Sequence, residues 1–188
     1  MMTGIAGLLR RFGADRSGAA LIELAFAVPV LVVVLLGCFE ATRYVLLHQK
    51  MNRAAASTAD LVAQLSAVTD AQLTDLFDAA SRLLEPYDLG ANGRVIVSSV
   101  HRPDAAVPPV IAWQRLSSGG ISATSNVGAE GDDAALPPGL TVDAGENVIV
   151  TEVFYSYEPF FLGTLFEPSQ FVHDAFNRPR INNLTQVD

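Results

Sequence analysis

The first strong pattern in the chain is an apolar run close to its start. Residues Ala19–Phe39 read AALIELAFAVPVLVVVLLGCF, and Glu23 is the only charged residue within them. A helix rises about 1.5 Å per residue, so about 20 apolar residues cross a hydrocarbon core roughly 30 Å thick. Lipid offers no partner to free backbone groups, so the segment must be helical, and Pro29 is tolerated there. The pattern predicts a transmembrane helix over 19–39.

Beyond this run the pattern becomes periodic, with apolar residues at helical spacing and polar residues on the other side. The apolar stripe contains Tyr44, Leu47, Met51, Ala55, Thr58, Leu61 or Val62, and Leu65. No Gly or Pro follows position 38 before Ser66. We predict one helix from Ala19 to about Ser66. Its amphipathic second half packs either on the protein's own outer domain or, in part, on other subunits.

A second helix is predicted from Asp70 to about Glu85. Thr69 followed by Gln72 makes a capping box, in which each side chain satisfies the other residue's backbone N–H. Pro86 ends the helix, since proline cannot continue one.

Three segments rich in β-branched and aromatic residues predict strands: Arg94–Val100, Val110–Leu116 and Asn147–Tyr157. They are expected to form a small antiparallel sheet that covers the first helix. Between the second and third strands, residues 117–145 are rich in Gly, Ala, Ser, Asp and Pro and predict a long loop with weak order. The tail Phe171–Asp188 is expected to be irregular or a short helix.

These elements predict an α+β fold in three parts. Residues 1–18 form a basic leader, 19–39 the transmembrane helix, and 40–188 an extracytoplasmic domain with a second helix and the sheet. Basic residues flank the apolar run almost evenly: Arg10, Arg11 and Arg16 before it, and Arg43, Lys50 and Arg53 after it. The positive-inside rule therefore decides little. A short basic head before an apolar run is the layout of an export signal whose head stays in the cytoplasm.

Composition narrows the classes of function. The formal net charge of −8 argues against a nucleic-acid partner, which would need a basic surface. Cys38 is the only cysteine, so no disulfide can form within the chain. His48, His101 and His173 lack the spacing of metal ligands, and each is expected to be a surface or interface residue. No catalytic or phosphate-binding motif is found, so no enzyme activity, cofactor or small-molecule substrate is expected.

Three kinds of processing compete at the apolar run. Ordinary signal peptidase cleavage would need a shorter core followed by a small-x-small site. Leu35–Cys38 resembles a lipoprotein signal, but Leu36 stands where a small residue is usual. The third begins at Ser17–Leu24, where Gly18 precedes the run and Glu23 follows five places later.

The segment Ser17–Leu24 (SGAALIEL) resembles the signal of type IV prepilins. The resemblance implies cleavage after Gly18 by an inner-membrane prepilin peptidase. Ala19 would become the new N-terminus and Glu23 its fifth residue. It also implies that Glu23 pairs with the N-terminal amine of a neighbouring subunit. A charge placed in hydrocarbon is costly, so such residues are functional candidates by default.

Three longer stretches extend the resemblance: Arg16–Val30 (RSGAALIELAFAVPV), Asn52–Gln64 (NRAAASTADLVAQ) and Val148–Phe160 (VIVTEVFYSYEPF), with Arg178-Pro-Arg180 later. The chain resembles the TadE/TadG-like family of pilus assembly proteins from tight-adherence (Flp) pilus systems. Its length suits the short TadE-like members, and the aliphatic Leu24 after the glutamate fits a minor component.

This resemblance implies a pilin-like fold and a minor pilin-like (pseudopilin) subunit that acts in pilus assembly or initiation. It implies a single pass through the inner membrane, with the N-terminus cytoplasmic and the outer domain periplasmic. The expected partners are that membrane, the prepilin peptidase and other pilin or minor pilin subunits. The alternative is a signal-anchored periplasmic binding or scaffold protein that is never cut.

Overall fold

The computed structural model describes residues 17–161, 163 and 168–188. Most of the predicted leader, residues 1–16, lies outside the described residues. The chain divides into two compact units, Met1–Thr42 and Arg43–Asp188. The predicted α+β class is confirmed, and the strands form one sheet of four rather than three.

Helix α1 is the longest element and runs from Ser17 to Ala63. Its first part, in the first unit, is apolar and solvent-exposed, and Pro29 lies inside it. Within the part of the chain that the structure describes, it is the one helix long and apolar enough to cross a membrane. Its most apolar 18-residue window has a mean hydropathy of 2.7 and no buried residue. The predicted helix from Ala19 to about Ser66 is therefore confirmed, with small shifts at both ends.

The second half of α1 forms the centre of the second unit's core. Its buried side chains are Leu47, Met51, Ala54, Ala55, Thr58, Ala59, Val62 and Ala63. Of the two candidates for one stripe position, Val62 is buried and Leu61 is 41% exposed. All of these except Thr58 and Ala59 share one cluster with strand residues such as Val97, Trp113 and Val153. The amphipathic stripe thus packs on the protein's own outer domain.

Two further helices follow α1. Helix α2 spans Asp70–Leu84, and its capping box is present: the Thr69 hydroxyl accepts a hydrogen bond from the Gln72 N–H at 3.2 Å, while Gln72 Oε1 accepts one from the Thr69 N–H at 3.0 Å. A short helix α3, Leu89–Asn92, was not predicted. Its start is capped by Asp88, whose carboxylate accepts from the backbone N–H of the third helical residue at 3.0 Å.

The sheet is antiparallel throughout, in the order β2-β1-β3-β4. Strand β1 spans Gly93–His101, β2 Val110–Leu116, β3 Asn147–Tyr157 and β4 Ser169–Asn177. The first three confirm the predicted strands. Both β1 and β3 are central strands and are buried on both faces, as their continuous apolar sequences suggest.

Strand β4 corrects the prediction for the tail, which was expected to be irregular or a short helix from Phe171 onward. Instead, residues 169–177 form β4, which pairs antiparallel with β3 from Tyr157↔Ser169 to Ile149↔Asn177. Its own pattern is weak because it is an edge strand with exposed polar positions. Its backbone pairing with β3 stabilises it, and that pairing cannot be recognised from the sequence of β4 alone.

The long segment 117–145 has no helix or strand, yet it is built into the domain. Val127 and Val142 are buried in a second apolar cluster with residues of β1, β2 and β3. At Gly120 the segment runs so close to α3 that an added Cβ would lie 1.9 Å from the Ala91 carbonyl oxygen. The predicted loop therefore covers the sheet face opposite α1 rather than extending into solvent.

The end of the chain ties the sheet to the helices. Leu184 is 2% exposed, and its carbonyl accepts hydrogen bonds from Ser99 Oγ at 2.6 Å and Trp113 Nε1 at 2.8 Å. Arg180 forms an ion pair with Asp60 of α1 at 2.7 Å. The Arg178–Arg180 stretch noted in the sequence therefore belongs to a C-terminal clamp on the core.

Candidate functional site: the exposed start of α1

The predicted processing site lies in the first turn of α1. The helix begins at Ser17, and Gly18, Ala19 and Glu23 are all exposed. A Cβ built on Gly18 would meet nothing within 4 Å. Among the described residues, nothing therefore packs against Gly18.

Helical spacing brings two of these residues to one face. Ala19 and Glu23 are four positions apart, and residues so spaced are neighbours on a helix surface. Helical side chains lean towards the N-terminus, so the Glu23 carboxylate points towards the end where Ala19 lies. An amine at Ala19 and the Glu23 carboxylate would thus lie on the same side of the helix.

The helix around this site presents a continuous apolar surface. Its most exposed large side chains are Leu21, Ile22, Phe26, Val30, Val33 and Leu35, each more than 60% exposed. Exposed apolar patches of this extent mark surfaces that contact lipid or other proteins. The free thiol of Cys38 is part of the same surface.

In the second unit the structure brings together two histidines that are far apart in sequence. His48 of α1 and His173 of β4 share a hydrogen bond, with 2.7 Å from Nδ1 to Nε2. The Tyr44 and Phe171 rings flank His48, each 4.5 Å away between ring centroids. His101 lies elsewhere and contacts the Glu146 carbonyl at 2.9 Å. Sequence spacing missed the pair because the prediction lacked β4.

The environment of His48 favours the neutral form of its imidazole. Burial lowers the pKa of His48 below its ordinary value of 6.5, and the neighbouring His173 lowers that pKa further. Across the described chain, no group of three or more His, Cys, Asp or Glu side chains could hold a metal ion. The geometry therefore fits a structural contact between α1 and β4 that depends on pH.

Glu152 is a buried carboxyl that the sequence analysis did not single out. It lies on β3 with 1% exposure and accepts hydrogen bonds from the Ser125 hydroxyl and from the Asn126 N–H, the latter at 2.8 Å. Burial raises the pKa of Glu152, and the nearby Asp174 raises it as well, while the two hydrogen bonds act in the opposite direction. In the sequence, the available signal for this site was that Glu152 is the one charged residue in the strand Asn147–Tyr157. Its contacts hold the long loop to the sheet.

Comparison with known families bears on the first of these features. Residues 18–60 match the family model described as TadE-like protein. The matched range contains the predicted cleavage site, the exposed apolar surface and most of the packed half of α1. No curated protein and no solved structure matches the chain. The match confirms the family resemblance drawn from the sequence.

Proposed function

We propose, from the match of residues 18–60 to the TadE-like family model, that the protein is a minor pilin-like subunit of a tight-adherence pilus system. The family supports a pilus-associated protein, and a single apolar N-terminal helix fits single-pass membrane anchoring. In this proposal the chain inserts into the inner membrane with its N-terminus in the cytoplasm. The prepilin peptidase cuts after Gly18, and the new subunit then joins pilin partners during assembly or initiation.

The observation that carries the proposal is the contrast between the two halves of α1. In the half from 43 to 63, one face of the helix is buried in the core of its own domain, whereas the large side chains between 21 and 35 are exposed. A helix that only completed a fold would bury its apolar side chains. An exposed apolar helix with Gly18 and Glu23 at its start suits movement from lipid into contact with the helices of other subunits.

Glu23 would set the register between the helices of neighbouring subunits. In a low-dielectric setting an unpaired carboxylate is expensive, and an ammonium group beside it offsets much of that cost. Cleavage would create such an ammonium at Ala19, on the same helix face. Pairing of Glu23 with the Ala19 amine of a neighbour would align adjacent subunits along their helix axes.

The alternative is a scaffold or binding protein that keeps its leader. One observation on the outer domain favours this alternative. Residues 43–188 have a core of their own, and their described part contains no exposed apolar helix comparable to residues 21–35. The two proposed functions differ in one requirement: the pilin-like subunit needs cleavage after Gly18, and the scaffold or binding protein does not.

A complementation experiment tests the proposal. The gene is deleted in its native host, and surface pili are counted by electron microscopy after return of the wild type, Gly18→Glu, Glu23→Gln or Gly37→Ala. Gly37 is the matched control, because it lies in the same helix and an added Cβ meets nothing within 4 Å. Immunoblots establish equal amounts of protein.

Wild type and Gly37→Ala are expected to restore pili. Gly18→Glu is expected to restore none, and Glu23→Gln few. Full piliation with Gly18→Glu would favour the uncut scaffold, and unchanged piliation in the deletion strain would refute a role in pilus assembly.

A further inference from the structure

Within the second unit, a groove lies between helix α2 and the last residues of the edge strand β2. Its volume is about 400 Å³. The helix contributes Leu73, Phe77 and Asp78 to its lining, and the strand contributes Arg115 and Leu116. Leu73 is buried, Phe77 is half-buried and Leu116 is 45% exposed. The α2–β2 groove thus combines apolar side chains with charged ones, a combination typical of binding surfaces.

The first part of β2 has no free outer edge, because the long loop covers it. The Ile111 N–H donates to the Asp132 carbonyl at 3.0 Å, and the Gln114 N–H donates to the Glu130 carboxylate at 3.1 Å. Both donors point away from β1. The loop therefore protects β2 from pairing with another chain as far as Gln114.

The edge is open at Leu116, beside the groove. The next residue, Ser117, directs its N–H inwards to the Val95 carbonyl of β1 at 2.8 Å. Backbone groups alternate in direction along an antiparallel strand, so the Leu116 N–H and C=O point outwards, as the Gln114 N–H does. In the described part of the chain, neither outward group of Leu116 has a hydrogen-bond partner. An extended segment of another chain could pair with them.

The charge around the groove specifies the kind of segment. Arg115 is the basic side chain in its lining, and ion pairs with Asp70 at 2.8 Å and Glu130 at 3.4 Å already hold its guanidinium. Asp78 is exposed and forms no ion pair within the described residues. Residues 43–188 contain 17 Asp and Glu against 9 Lys and Arg. A basic partner is therefore complementary, whereas the outer domain of a second copy carries the same excess of negative charge.

We propose that the α2–β2 groove binds an extended, basic segment of a partner protein, which pairs with Leu116 as an added strand. Side chains alternate along a strand, so its apolar side chains would contact Phe77 and Leu116 while its lysine or arginine side chains approach Asp78. The outer domain alone makes this interaction. It depends neither on membrane anchoring nor on cleavage after Gly18, so its failure would leave the proposed function standing.

The test measures binding of a fluorescein-labelled hexapeptide of alternating lysine and valine to the full chain in a non-ionic detergent, by fluorescence anisotropy. The same peptide with a fully N-methylated backbone keeps its charges but cannot donate strand hydrogen bonds. A peptide of alternating glutamate and valine reverses the charge. The protein variants are Asp78→Lys and, as the matched control, Asp143→Lys, which makes the same charge change at an exposed position outside the groove.

The wild type and Asp143→Lys are expected to bind the lysine–valine peptide equally and the glutamate–valine peptide not at all. Asp78→Lys should weaken binding of the lysine–valine peptide several-fold, and N-methylation of the peptide should do the same in the wild type. Urea unfolding of Asp78→Lys should match that of the wild type, since the side chain is exposed.

Three binding results would overturn the proposal. The first is no binding of the lysine–valine peptide by the wild type. The second is equal weakening by Asp78→Lys and Asp143→Lys, which would show attraction to the acidic domain as a whole. The third is undiminished binding of the N-methylated peptide, which would exclude an added strand. Self-association in sedimentation velocity that is lost in Asp78→Lys and kept in Asp143→Lys would also overturn it, because a second copy would then occupy the groove.

Discussion

At the scale of single residues, we expect the contact between His48 and His173 to make the stability of the domain depend on pH. One ring N–H donates and the facing ring nitrogen accepts across 2.7 Å. Protonation of both rings would remove the acceptor and place two positive charges at that distance. The contact joins α1 to the edge strand β4, so its loss would weaken the attachment of the last strand.

The sign of the pH effect follows from the lowered pKa of His48. Below its ordinary value of 6.5, the unfolded chain binds protons that the folded chain resists, so the contribution of the pair to stability is present above about that pH and is lost as pH falls. We expect urea unfolding of the full chain in detergent, followed by Trp113 fluorescence, to show a steeper loss from pH 7 to 5 than in His48→Gln. His101→Gln is the control and should keep the wild-type slope; parallel curves for wild type and His48→Gln would contradict the assignment.

Glu152 titrates with the opposite sign. Its folded-state pKa is raised above the ordinary 4.5, so the folded chain holds its proton longer and stability falls as pH rises through that window. Glu152→Gln should therefore gain stability relative to wild type between pH 4 and pH 7. Asp174→Asn removes only a secondary cause of the shift and should show a smaller change of the same sign. A pH-independent difference between Glu152→Gln and wild type would show that the carboxyl does not titrate as described.

At the scale of elements, the C-terminal clamp gives a direct test of packing. Leu184 is 2% exposed, whereas Ile181, three residues earlier, is 62% exposed. Leu184→Ala leaves the backbone carbonyl in place and opens a cavity, which should lower the free energy of unfolding by about 2–5 kcal/mol. Ile181→Ala should change it by less than about 0.5 kcal/mol. Equal effects in urea unfolding would show that the tail is not part of the core.

Which elements could be predicted depends on how strongly each carries its own signal. The capping box at Thr69 and Gln72 and the β-branched runs of β1 and β3 are local patterns, and they gave the correct elements. Strand β4 is specified mainly by its partner β3, so local sequence gave no clear strand. Because β4 was not predicted, the contact between His48 and His173 was not predicted either.

For the loop 117–145, the absence of helix and strand could be predicted from sequence, but its packing on the sheet could not. Its composition correctly predicted a segment without helix or strand. Its attachment depends on Glu152, Val127 and Val142 meeting partners far away in sequence. Contacts of that kind arise from the tertiary fold and have no periodic signature along the chain.

At the scale of the whole molecule, the chain divides its apolar residues between two uses. Those of the second unit fill two clusters around α1 and the sheet. Most of those between positions 21 and 39 are exposed along one helix. The processing site at Gly18 and Glu23 stays a prediction, made from a short linear motif in the sequence. The subunits that the helix would contact could not be identified, because recognition between separate chains leaves no pairing signal in one sequence.

The central claim is that this exposed helix begins, after processing, at Ala19. The most direct measurement is the N-terminal residue of the membrane-fraction protein after co-expression with its prepilin peptidase, read by Edman degradation or by mass spectrometry of the N-terminal peptide. We expect Ala19 for the wild type and an intact leader for Gly18→Glu. A wild-type chain that still begins at Met1, or one cut at Cys38 and carrying lipid there, would contradict the claim.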